Sequence, residues 1–146
     1  MTATPREALR AQALNDHDKA REVLDRLSPE DLDHYYLLAM ALFMGAIGHR
    51  LGKSPSREDI ERVVAEMRYD FRKVREQVNL LHVEAIIRGL YGEDHLLEDI
   101  ASEDQYQAAM PVIYKVIGQS EEFRAQLDQY LADAERMVRI WQSDAD

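Results

Sequence analysis

Five histidines are the first residues to weigh for chemistry in this chain: His17, His34, His49, His82 and His95. Cysteine is absent, which excludes thiolate nucleophiles, thiolate zinc sites and iron–sulfur ligation together. Imidazole, carboxylate and hydroxyl groups would have to carry any reaction. A carboxylate-bridged di-metal bundle needs Glu-x-x-His on two helices and glutamates on two others. The nearest approach is a single Asp31-x-x-His34, and His95-x-x-Glu98 runs in reverse. The His-Glu-x-x-His run of zinc peptidases does not occur, and His17-Asp18 is a lone pair. No glycine-rich phosphate loop is present, and no serine or threonine stands beside a histidine in a nucleophile-like setting. No metal and no cofactor are expected.

What remains is a set of polar groups delivered to apolar surroundings. The run YYLLAMALFMGAIG, Tyr35 to Gly48, carries no charge in a chain that is otherwise 32% charged. As a helix it is about 21 Å long, short of the roughly 30 Å hydrocarbon core of a bilayer, so it reads as a buried helix and no membrane partner is expected. Its bulky side holds Tyr35, Tyr36, Met40, Phe43, Met44 and Ile47. The other side, through His34, Leu38, Ala41, Gly45, Gly48 and Gly52, is built largely of small residues. Small side chains at that spacing let another backbone come close, and a close helix crossing is the first expectation. The alternative is a pocket for an apolar ligand, or a catalytic site, lined by His34, Tyr36, Ala41, Gly45, His49 and His82.

These residues must be positioned by helices. Glycine and proline fall where helices begin or end, and no strand-like alternation persists, which makes the chain all-α. Five main helices are predicted at about 5–27, 29–51, 57–91, 103–117 and 120–142, with a short helix at 94–101. Asn15 is a candidate for breaking the first, and Pro111 for kinking the fourth. Ser102 and Gln105 are read as a capping box. In the 57–91 helix, Ile60, Val63, Val64, Met67, Phe71, Val74, Val78, Leu81 and Ala85 stay in phase as a core stripe. In the last helix Phe123, Leu127, Tyr130, Ala134, Met137 and Trp141 form a heptad seam. The 146 residues suit a single helical domain with a polar tail from about 142.

The run LGKSPSREDIE, residues 51–61, resembles the turn and helix start found in bacterial sigma factors. It covers eleven residues, no recognition helix follows it, and no sigma-factor function is carried over from it.

Opposite the core stripe of the 57–91 helix lie Tyr69, Leu80, Val83, Ile87 and Leu90. A helix apolar on two sides needs two partners, so these five are expected either to run through the bundle or to form a dimer interface about a two-fold axis. Charge is uneven in a chain of net charge -10. Residues 50–75 hold eight basic and five acidic side chains, whereas 76–146 hold five basic and fifteen acidic. Arg57, Arg68, Arg72 and Arg75 form a basic flank that suits an acidic protein surface, and the overall negative charge argues against nucleic acid. Arginine outnumbers lysine 14 to 4, in keeping with a GC-rich bacterial genome, and no signal peptide is read at the N-terminus. The expectation is a small acidic cytoplasmic protein, a non-catalytic interaction or regulatory module acting as a homodimer.

Overall fold

The structure is a computed structural model describing residues 3–73 and 78–144. Among the described residues it is all-α, with eight α-helices, a 3-10 turn and no strand. The expected five-helix division is corrected to α1 (Pro5–Ala13), α2 (His17–Asp25), α3 (Pro29–Leu51), α4 (Arg57–Asp70), α5 (Leu80–Leu90), α6 (Ser102–Gln119), α7 (Glu121–Ala125) and α8 (Leu127–Asp144). The 94–101 helix is reduced to the 3-10 turn Asp94–Leu97. None of the helices among the described residues is long and apolar enough to cross a membrane.

Each break has a local cause. Thr4 caps α1 and Pro5 opens it, but Asn15 turns the chain through a left-handed conformation at φ 63°. Asp16 then caps α2 by accepting the Lys19 N–H. Helix α3 runs over the expected 29–51, from a Ser28 cap to Gly52, whose φ of 76° suits a residue without a Cβ. Ser56 and Asp59 form a reciprocal capping box at the start of α4, and these hydrogen bonds hold the Asp59 carboxyl below the usual carboxylate range. Ser102 makes no such box. Ala101 occupies the cap position, and the Gln105 amide instead donates to the Ile100 carbonyl.

The expected 57–91 helix is two helices. It ends at Asp70, and Asn79 starts α5 by accepting the His82 N–H. Residues 74–77, including Val74 of the expected stripe and Arg75 of the basic flank, lie outside the described residues. Because α5 begins afresh, the helical phase counted from Ile60 does not carry through to it. Ile60, Val63, Val64 and Met67 are buried as expected, but Leu81 is 79% exposed, while Val83, Ile86 and Ile87 are buried.

Helix α3 lies at the centre, burying Tyr35, Leu38, Leu42, Phe43, Ala46 and Ile47 and packing against α1, α6 and α8. Helix α5 packs on α4, α6 and the 3-10 turn. Helix α8 turns inward Leu127, Leu131, Ala134 and Val138; of the expected seam Leu127 and Ala134 are buried, Tyr130 and Trp141 are partly buried against the core, and Met137 is exposed.

Candidate functional site

The small side of α3 is met by another helix at Gly45. The Tyr130 ring of α8 lies over this glycine, with Cδ1 3.1 Å from where a Cβ would stand. Ala41 is buried one turn earlier. One turn later, His49 is held at both ring nitrogens. Nε2 is 2.9 Å from the Ser120 hydroxyl and Nδ1 is 3.3 Å from the Tyr130 hydroxyl. The imidazole also packs against the Phe123 ring, centroid to centroid 5.5 Å. A serine–histidine hydrogen bond is the pairing that nucleophilic catalysis uses. Here the Ser120 oxygen also accepts the Phe123 N–H as the cap of α7, so the pair binds the α6–α7 corner to α3. Ser120, 71 residues from His49, had no local signal marking it as a histidine partner.

The remaining expected ligand residues are dispersed. His34 is partly buried on α3. Tyr36 stacks edge-on against Tyr106 of α6 at 5.1 Å and lines a shallow recess of about 310 Å³ with Asp33, Leu37, Met40, Ser102 and Gln105. Behind it, the buried Tyr35 hydroxyl is 2.5 Å from the Tyr106 hydroxyl. Burial pushes both phenols above the ordinary tyrosine range, and for Tyr35 the neighbouring Tyr106 adds to the shift. His82 belongs to a different place altogether. The six residues expected to share one pocket on the small side of α3 are therefore not gathered there.

The place that takes His82 is a cleft of about 520 Å³ between α2, α5 and α6. His17 from the first turn of α2 and Asn79 and His82 from the start of α5 form one part of its wall. Asp104, Gln107, Ala108, Pro111 and Tyr114 form the α6 wall, recurring every three or four residues as one helix face does. Phe71 and Val78 add apolar surface. The Gln12 amide donates to the Tyr114 hydroxyl at 2.7 Å, and the His17 ring stands edge-on to that of Tyr114 at 6.4 Å. No group of three or more metal-ligating side chains is found among the described residues. Asn79 was legible in the sequence as an N-cap before the run LLHVEAII. The α6 wall was not, because its residues look like an ordinary polar helix face until another helix closes over it.

The expected interface residues divide as well. Val83 and Ile87 are fully buried, and Leu80 and Leu90 are partly buried against the core, so these four pack within the bundle, the first of the two expected arrangements. Tyr69 is exposed, with the Arg72 guanidinium 3.8 Å above its ring. The chain belongs by its architecture to the all-α proteins, and the comparison with known proteins adds no narrower class. No protein-family model, no curated protein and no solved structure matches it.

Proposed function

We propose that the protein is a non-catalytic protein–protein interaction or regulatory module that acts as a homodimer. The observation that carries this reading is Leu81, an aliphatic side chain 79% exposed in the first turn of α5. Tyr69, 64% exposed, stands in the last turn of α4, so two large apolar groups flank the same interhelix connection. Burying a leucine side chain is worth about 1.5–3 kcal/mol, a gain that this monomer leaves unused and a partner could take. Arg68 and Arg72, exposed beside Tyr69, would favour an acidic surface opposite, such as the C-terminal half of a second copy. Sedimentation velocity across the micromolar range tests this: a dimer that Leu81→Asp converts to monomer supports it, and a wild-type monomer throughout sinks it. The partner class in this reading is protein, with nucleic acid and membrane set aside, and the cytoplasm is the compartment proposed.

A second reading, small-molecule binding, is favoured by the cleft between α2, α5 and α6. Its volume lies within the range of about 300–1,000 Å³ common to ligand sites, and it combines apolar walls with a few polar side chains. It replaces the small side of α3, where Tyr130 lies over Gly45.

A further inference from the structure

Resting on the small-molecule reading, we infer that the cleft between α2, α5 and α6 accepts a small zwitterion with a bulky apolar body, such as an α-amino acid with an aromatic or branched side chain. Hydrogen-bond bookkeeping points to both charges. The Asn79 carboxamide oxygen is already taken by the His82 N–H, which leaves its amide hydrogens to donate. The Tyr114 hydroxyl oxygen accepts from Gln12, which leaves its own proton to donate. The rings of His17 and His82 line the same cleft, and an imidazole offers at least one N–H. This is a donor-rich wall, suited to a carboxylate. Facing the same space is Asp104, a group that when ionised can only accept, suited to an ammonium. A simple anion would meet Asp104 as a like charge, and a simple cation would leave the free donors of Asn79 and Tyr114 unmatched. A molecule carrying both groups satisfies both sets.

The apolar part of the ligand has its place too. Phe71, Val78, Ala108 and Pro111 supply surface in the same cleft. Pro111 has no N–H to give to the Gln107 carbonyl one turn earlier, and its ring adds apolar surface to the α6 wall.

The experiment titrates the full chain with three probes of one skeleton, phenylalanine, 3-phenylpropionate and phenethylamine, and follows backbone amide shifts in nuclear magnetic resonance spectra. Phenylalanine is expected to bind more tightly than either single-charge analogue and to perturb the amides of Asn79, His82 and Gln107. Asn79→Asp keeps a good helix cap while replacing the free donors with a carboxylate, and should weaken phenylalanine about tenfold or more. Asp104→Asn, on the exposed first turn of α6, should weaken phenylalanine and phenethylamine about fivefold and leave 3-phenylpropionate unweakened. If either analogue binds as tightly as phenylalanine, the zwitterion inference is overturned while the small-molecule reading stands. If none of the three moves the cleft amides at millimolar concentration, both fall.

Discussion

The ammonium of Lys115, on α6, lies 2.6 Å from the carboxylate of Asp70, the last residue of α4. The lysine side chain is only 3% exposed, and Glu66 at 3.2 Å completes a buried cation between two acids. Glu66 in turn accepts from Arg50 of α3 at 2.8 Å, so one chain of ion pairs ties α3, α4 and α6 together. The acids are about a third exposed and can be hydrated, whereas the ammonium cannot.

Unequal costs follow from that asymmetry. Lys115→Met leaves two carboxylates that water can reach and should cost about 1 kcal/mol. Glu66→Gln with Asp70→Asn leaves a buried charge without a counter-charge and should cost about 3–5 kcal/mol. Urea denaturation of the two variants checks the order, and an equal or reversed order would contradict the arrangement.

Helix α5 offers a test of the chain break. Ile87→Ala should destabilise by about 2–5 kcal/mol, because it opens a cavity in the core. Leu81→Ala, on the exposed side, should stay within about 0.5 kcal/mol for the monomer. A continuous helix over 57–91 would make Leu81→Ala costly as well, since its phase puts Leu81 on the core stripe. Thermal melts at low protein concentration distinguish the two.

Gly45 reports on the small side of α3. Gly45→Leu must push against the Tyr130 ring and should cost about 1–3 kcal/mol. Gly45→Ala gains roughly 1 kcal/mol of helix propensity but places its methyl within the same 3.1 Å approach, so little net change is expected. Equilibrium unfolding of both variants would reveal an open pocket there if leucine were accommodated without loss.

Three buried or part-buried tyrosines set a response to alkali. Tyr35, Tyr106 and Tyr114 have folded pKa values raised above 10.0 by burial, so the unfolded chain loses their protons first as pH rises. Their contribution to stability is therefore complete below about pH 10 and is lost progressively above it. Ultraviolet absorbance of tyrosinate should show these three ionising together with unfolding. Tyr106→Phe should also cost about 1–3 kcal/mol at neutral pH, since the buried Tyr35 hydroxyl then loses its partner. In Tyr35→Phe/Tyr106→Phe the loss should shrink, because no hydroxyl remains to be stranded. Denaturation midpoints give the comparison.

The helical class, the extent of α3 and most of the helix starts were readable from the chain itself. Ser28, Ser56, Thr4 and the prolines that follow or neighbour them act within one turn, and α3 buries all sides because its residues are apolar all round. Asn79 is a cap residue by type, but the apolar repeat runs across it without interruption, so the sequence pattern alone does not show that α5 starts afresh there. Lys115 is a lone charge amid Val112, Ile113 and Val116, and the acids that neutralise it come from a different helix.

The candidate site shows the same division. Capping and periodicity depend on neighbours three or four residues apart, so the residues of each helix and the likeness of its faces were determined by sequence alone. Which face meets which is a matter of contacts between segments distant in the chain, where the free energy comes from fitting two surfaces together. Tyr130 over Gly45, Ser120 on His49, and His17, His82 and Asp104 around one cleft are all of that kind. No local pattern specifies them, and they exist only once α3, α5, α6 and α8 have been packed.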